Sequence, residues 1–317
     1  MKIDEIHPSY RRAVRMLPGL PYSRPAWQPF VQWLYRRFFV TPVVDGVTTH
    51  DVQFGPVRLR VYVPDQGQTG AGMMWIHGGG MIVGTEVQDN TLCSTYARDL
   101  GLVVVSVGYR LAPQHPFPAA SDDCFAAWQW FLEHAADYGV ARERIVIASE
   151  SGGGSHGASL AHRIHDHGGV QPAGQMLFEP MLDDRTAADP SLAKGYFVWR
   201  WKDNYGGWRA YLGHEPGQPS EPPYAVPARR EDLSGLPPTW FGIGTKDLFY
   251  AEGMRYVDGL RRAGVEVELV TIEGAPHGFH LLAPDAPGSR EFGDRSYRWL
   301  RATLALDGAT PSVARAS

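Results

Sequence analysis

A serine framed by glycines is the first place in this 317-residue chain where chemistry could occur. The stretch Ser149-Glu150-Ser151-Gly152-Gly153-Gly154 follows the apolar run Ile145-Val146-Ile147-Ala148 and precedes a helix-like segment, Ser155 to His165. A strand, a sharp turn and a helix would lift one hydroxyl, that of Ser151, above the end of a sheet, where it can attack a carbonyl. Small neighbours let strand and helix approach each other and leave the Gly152 N–H aimed at the incoming group. Ser149 is a rival nucleophile that fits less well, because its second following residue is Ser151 rather than glycine.

Three more pieces could complete such a site. His77-Gly78-Gly79-Gly80 follows a strand-like run ending Met74-Trp75-Ile76. Consecutive glycines permit positive φ and expose backbone N–H groups, donors suited to a tetrahedral oxyanion. A phosphate loop is the alternative, but no Gly-x-x-x-x-Gly-Lys-Ser/Thr pattern surrounds it. Asp247 stands just after Trp240 to Ile243, where a carboxylate can hold a histidine in one tautomer. Read alone, it is better explained as an Asx turn or a cap on a helix starting near Ala251. His277, in Gly274-Ala275-Pro276-His277-Gly278-Phe279, follows the last strand-like run, with His280 as its competitor. The order Ser151, Asp247, His277 is the one expected of hydrolases on an α/β sheet.

Elements able to position these groups are legible in the pattern. Strands are expected at Val57 to Val63, Gly72 to Ile76, Leu102 to Val107, 144–149, Met176 to Phe178, Thr239 to Ile243 and Val265 to Ile272. Helices are expected at Ala119 to Ala136, Ser155 to His165, Ala251 to Ala263 and Arg290 to Leu306. Alternation of this kind predicts a mostly parallel sheet covered by helices on both faces. Two aromatic-rich regions break the rhythm. Residues 1–45 contain the helical stretch Trp27 to Phe39, and 184–226 carry Tyr196, Phe197, Trp199, Trp201, Tyr205, Trp208 and Tyr211 before a proline-rich exit. An insertion late in such a sheet is where a cap would sit. The chain therefore reads as one domain, 1–317, capped by about 1–45 and 184–226.

Composition narrows the partners. With 30 Lys and Arg against 34 Asp and Glu the net charge is −4, which argues against nucleic acid. Met1-Lys2-Ile3-Asp4-Glu5 does not read as a secretory signal, and no run of about 18 apolar residues predicts a membrane span. The two cysteines, Cys93 and Cys124, make no disulfide framework; they read as buried apolar fillers in a cytoplasmic protein. Neither nucleic acid nor membrane is expected as a partner, and a homodimer is left open. Of the histidines, His156, His162, His165 and His167 read as a solvated helix face rather than a metal site, since no ligand set of known spacing completes them. Asp183-Asp184 read as ordinary loop acids, and Asp122-Asp123 as a helix cap. No metal is expected.

The block Tyr109-Arg110-Leu111-Ala112-Pro113-Gln114-His115-Pro116-Phe117-Pro118-Ala119-Ala120, followed by Asp122-Asp123, makes the pattern specific. With His77-Gly78-Gly79-Gly80, the serine turn, Asp247 and His277-Gly278-Phe279, it resembles the hormone-sensitive-lipase-like carboxylesterases over roughly residues 40–300. The resemblance implies an α/β-hydrolase fold with a helical cap. It also implies Ser151 as nucleophile, His277 as general base and acid, Asp247 as its orienting carboxylate, and an oxyanion hole from the N–H groups of Gly79, Gly80 and Gly152. The implied reaction is cofactor-free hydrolysis of small esters with short acyl chains. Met81, Trp199, Trp201 and Trp208 are candidates for the substrate pocket, and the aromatic cap suggests an aromatic or cyclic substituent. An amidase or lactonase on the same triad, or a hydrolase-like binding protein, are the alternatives. Three positions depart from the family's usual Gly-Asp-Ser-Ala-Gly-Gly: Ser149, Glu150 and Gly152. Ser149 is expected to widen the strand–helix contact slightly, and Gly152 to leave the oxyanion donor more mobile than alanine would. Gln114 replaces a usual glutamate and leaves the balance of Arg110 open.

Overall fold

A computed structural model describes residues 2–17 and 27–306 of the chain. In order, the main elements are α1 (Pro8–Met16), α2 (Gln28–Phe38), β1 (Val47–Phe54), β2 (Val57–Pro64), β3 (Ala71–Ile76), α3 (Asn90–Leu100), β4 (Leu102–Gly108), α4 (Ala119–His134), β5 (Ile145–Glu150) and α5 (Ser151–His167). Then follow β6 (Gly174–Phe178), α6 (Asp184–Ala188), α7 (Trp201–Leu212), β7 (Thr239–Gly244), α8 (Tyr250–Arg262), β8 (Val267–Ile272), α9 (Phe279–Leu282) and α10 (Pro287–Thr303). The strands form one sheet in the order β1-β2-β4-β3-β5-β6-β7-β8. β1 and β2 pair antiparallel, β2 meets β4 antiparallel, and every pair from β4 through β8 is parallel. The carboxyl ends of β3, β5, β6, β7 and β8 therefore share one rim.

Alternation along the strands divides the core. Met74 and Ile76 face a cluster containing Trp128 and Phe131 of α4, Ala158 and Leu160 of α5, and Leu260 of α8. Met73 and Trp75, one residue out of phase, face Cys93 and Leu100 of α3 and Trp299 and Leu300 of α10. Both sheet faces are thus covered, as near-continuous apolar strands require. A mostly parallel sheet covered on both faces is what the alternation predicted, and the fold is the α/β-hydrolase one that the resemblance implied. Cys93 and Cys124 are both buried and unpaired.

Some elements were not readable from periodicity. β1 (VTTHDVQF) is an edge strand with no fully buried residue, so its polar sequence carries no strand signal beyond the pairing with β2. α5 starts four residues earlier than its apolar pattern suggests. Its first turn holds Gly152, Gly153 and Gly154, which cost about 1 kcal/mol each in helix propensity but permit close packing. A Cβ on Gly154 would strike Pro180.

Three expectations about polar residues need correction. α5 runs between α4 and α8, so His156 and His162 are buried rather than solvated. His156 lies edge-on to Tyr109 and Tyr211, and His162 Nε2 is 2.8 Å from the Tyr256 hydroxyl. Burial pulls both imidazoles down to about 3, so they are neutral. His167 alone of the four is exposed. Asp183 and Asp184 are likewise buried: Arg229 holds Asp184 at 2.8 and 2.9 Å, and Asp183 binds Arg185 while capping α6. Asp122 and Asp123 do not cap α4. Asp122 pairs with Arg163, and buried Asp123 grips the Arg110 guanidinium at 2.7–3.1 Å and its backbone N–H at 2.8 Å. Asp123 is therefore what balances Arg110.

Candidate active site

Ser151 begins α5 at φ 51°, a left-handed conformation that a side-chain-bearing residue adopts only when its surroundings enforce it. β5 fixes the residue before it and α5 the residues after it. The hydroxyl sits at the positive end of a 17-residue helix, where developing negative charge is favoured. Ser149 is fully buried beneath, with Oγ donating to the Met176 carbonyl at 3.4 Å, and is no nucleophile. Its side chain does not wedge β5 from α5, because α5 has Gly157 opposite: a Cβ there would strike Ser149 Oγ.

Ser151 Oγ is 2.9 Å from His277 Nε2. His277 Nδ1 donates to Asp247 Oδ2 at 2.7 Å, and Asp247 Oδ1 accepts the Phe249 N–H at 2.9 Å. Asp247 thus makes an Asx turn with one oxygen and accepts from the histidine with the other. The loops after β7 and β8 are tied together: Lys246 N–H donates to the Ala275 carbonyl at 2.9 Å, and Gly274 N–H to Thr245 Oγ1 at 2.9 Å. Phe249 packs edge-on against the His277 ring. Ser151 and His277 are each about 6% exposed. His280 is not in the line; it is half-buried, with Nε2 3.7 Å from Glu150, and desolvation lowers it to about 3.

The glycine loop lies against this line. Gly79 and Gly80 have φ of 120° and 57°, and a Cβ on Gly79 would overlap the Val83 carbonyl. His77 stacks on Tyr109, whose hydroxyl donates to the His77 carbonyl at 3.0 Å, and Ala112 N–H donates to the Met81 carbonyl at 3.1 Å. The Tyr109 block, which carries no reacting group, is thereby the support of the loop. Burial takes His77 down to about 4 and keeps it neutral. Gly152 faces the loop across a tight contact. A Cβ there would lie 2.7 Å from Gly80 Cα, Gly80 N and Met81 N, so glycine lets helix and loop close onto each other.

The candidate pocket residues separate. The Trp199 indole occupies the space a Gly80 side chain would take, and Met81 is buried beside it at φ 67°. α7 abuts the loop through Gly207, where a Cβ would come within 2.7 Å of the Gly80 carbonyl. Trp208 is fully buried against Tyr211, and Trp201 stacks on Tyr205; neither is seen against the loop.

Glu179 is the residue sequence reasoning missed. It follows β6 at φ 46°, is fully buried, accepts the Gly278 N–H, and has a carboxylate oxygen 3.8 Å from His277 Nδ1. Burial first, then nearby Asp247, pushes its carboxyl well above the usual range, so it is neutral. Glu150, Glu179 and His280 lie close enough to share a metal ion, as do Glu179, Asp247 and His277. The second set already serves the Ser151–His277 line, and in the first Glu150 and Glu179 are buried while His280 is half-buried. The signal in the sequence was slight: a lone acid ending an apolar strand, in Phe178-Glu179-Pro180.

Comparison with known proteins decides the family. Residues 73–281 match a family model described as an α/β-hydrolase fold. The chain belongs to that family. Within it, the chain is a carboxylic ester hydrolase of the hormone-sensitive-lipase-like group. Ethyl acetate hydrolase of Pseudomonas putida is 32% identical over 74% of each chain. A solved bacterial heroin esterase superposes with a TM-score of 0.88 at 31% identity, covering 96% of this chain and 99% of its own. A gibberellin receptor of Arabidopsis thaliana is 31% identical over 73% of this chain and 69% of its own length.

Proposed function

We propose that the protein hydrolyses short-acyl esters, including aromatic ones, through an acyl-enzyme on Ser151. The observation that carries this reading is the unbroken line Ser151–His277–Asp247 at 2.9 and 2.7 Å. His277 takes the Ser151 proton as Oγ attacks the ester carbonyl, and Asp247 stabilises the resulting imidazolium. N–H groups of Gly79, Gly80 and Gly152 hold the oxyanion. Removing one such donor typically costs about 3–4 kcal/mol of barrier stabilisation. His277 then protonates the departing alcohol, and water repeats the attack to free the acid. The described parts of 1–45, together with 184–226, form the cap, while residues 1 and 18–26 lie outside the described residues; Met81 and Trp199 stand on the acyl side and Trp201 and Trp208 hold α7 in place. The indole lying on Gly80 supports a short acyl group, as does the relative named for ethyl acetate. The relative named for heroin supports an aromatic one.

The receptor relative favours a second reading, a ligand-binding protein on the same fold. The complete triad speaks against it. A panel of nitrophenyl esters graded by acyl length, with a matched amide, separates the readings. The proposal expects kcat/KM to peak at acetyl to butyryl and to be far lower on the amide. A peak at long acyl chains overturns the acyl assignment. Preference for the amide makes the protein an amidase, and no turnover on any member leaves the binding reading.

A further inference from the structure

From residue 6 to residue 44 the chain has no Asp or Glu but six arginines, Arg11, Arg12, Arg15, Arg24, Arg36 and Arg37. The rest of the protein holds 24 Lys and Arg against 34 Asp and Glu, so this one stretch is cationic on an anionic body. It also carries the largest exposed apolar side chains. Trp27, Phe30, Trp33 and Phe38 are 49%, 52%, 56% and 63% exposed, and Met16, Leu17, Phe39 and Val40 are exposed as well. The aromatics form a continuous ladder: Trp27 lies edge-on to Phe30, Phe30 stacks on Trp33, and Trp33 lies edge-on to Phe38. The Arg37 guanidinium sits over the Phe38 ring, 5.3 Å from its centre. Trp27, Phe30, Trp33 and Arg37 fall on one side of α2 by their spacing. The opposite side is anchored: Gln28 and Val31 are buried, and Gln32 Nε2 donates to the Ile82 carbonyl at 2.8 Å, three residues beyond Gly79.

A contiguous aromatic face of this size on a folded protein marks a contact surface. Tryptophan and phenylalanine on one helix face with arginine at its edge is the composition of a helix that lies in a lipid–water interface. A second copy of the chain is the poorer occupant. A two-fold contact would set the same patch against itself, bringing Arg37 toward its own copy with no acid in the stretch to balance it. No helix among the described residues is long and apolar enough to cross a membrane, so the contact would be peripheral. We infer that the exposed face of α2 docks on an anionic phospholipid surface, placing the helix that braces the glycine loop at the layer where apolar esters dissolve. The membrane, not expected from composition, would thus be a partner without being crossed.

Binding is read separately from catalysis, so this inference stands or falls apart from the proposed reaction. The full chain is sedimented with phosphatidylcholine vesicles, and with vesicles in which part of the lipid is phosphatidylglycerol, while tryptophan emission is followed. The inference expects pelleting and a blue shift with the anionic vesicles, weakened by salt. Phe30→Ser with Trp33→Ser should lower the partition by roughly tenfold, and Arg36→Glu with Arg37→Glu by roughly twentyfold. Thermal unfolding of both variants should match the parent, which rules out misfolding. No binding to either vesicle overturns the inference. So does an oligomer in light scattering that Phe30→Ser with Trp33→Ser dissociates, because a second copy then covers the face.

Discussion

At the rim that carries the proposed triad, polar groups are buried and each member has a fixed partner: Ser151 faces His277, His277 faces Asp247, and Asp247 faces the Phe249 N–H. On α2 the case is reversed, with large apolar rings left in solvent and one helix side holding the body. The rim is built by close approach, so its glycines are irreplaceable for steric reasons. The outer face of α2 is built for an absent surface, so its residues carry little folding energy. A change of one methyl group should therefore matter at the rim, while serine at Phe30 or Trp33 should leave catalysis on a soluble ester and unfolding nearly as they are.

The largest departure should come from Gly152→Ala. The added Cβ meets Gly80 and Met81 at 2.7 Å, so either loop or helix shifts and the proposed oxyanion donors move. Steady-state kinetics should show kcat lowered roughly tenfold to a hundredfold with KM little changed. An unchanged kcat would mean the loop yields freely, and the contrast with α2 would lose its basis.

Next is Glu179. Glu179→Ala removes the acceptor of the Gly278 N–H and should lower kcat by about tenfold through the adjoining His277. Glu179→Gln keeps an acceptor and, since the acid is neutral already, should restore the rate and leave the pH–rate profile in place. If the glutamine variant instead moves the profile, Glu179 acts by its charge.

A smaller effect is expected in the strand–helix contact beneath. Gly157→Ala forces a methyl onto Ser149 Oγ and should cost about 1–3 kcal/mol in urea unfolding. Ser149→Gly in the same chain should recover most of it, because the two residues share one space. Additive losses would show that they do not.

The gentlest test is pH. Glu252, buried below the cap, accepts the N–H groups of Leu182 and Asp183 at 2.6 and 3.2 Å, and burial raises its carboxyl from 4.5 to about 8. Between these values the unfolded chain has released the proton and the folded chain retains it, so this group's contribution to stability falls as pH rises. Glu252→Gln should therefore gain on the parent in urea midpoint on going from about pH 5 to about pH 8. A constant difference would mean that Glu252 is already ionised in the fold.

The same contrast explains what could be read in advance. Chemistry that depends on a short motif at a strand end was legible: the serine turn, the glycine loop, Asp247 and His277 each lie within a few residues of an apolar run. Most of the parallel strands were legible because full burial leaves unbroken Val, Ile and Met runs. Contacts between distant segments were not. That Gly157 makes room for Ser149, that Asp123 rather than residue 114 balances Arg110, and that Glu179 reaches the loop of His277 depend on which strands are neighbours. The histidines of α5 were misread because their i, i+3 spacing does not tell which helix packs on which side. α2 was legible as a helix but not as an exposed one, since aromatic content alone does not distinguish a face that packs inward from one that waits for a surface.

The most direct test of the account is rapid mixing with a nitrophenyl acetate. The account predicts a burst of nitrophenol equal to the active sites, with the acetyl group recovered on the peptide carrying Ser151, and loss of burst and label in Ser151→Ala. A burst of the same size in Ser151→Ala, or an acetyl group on any other residue of the active parent, would contradict it.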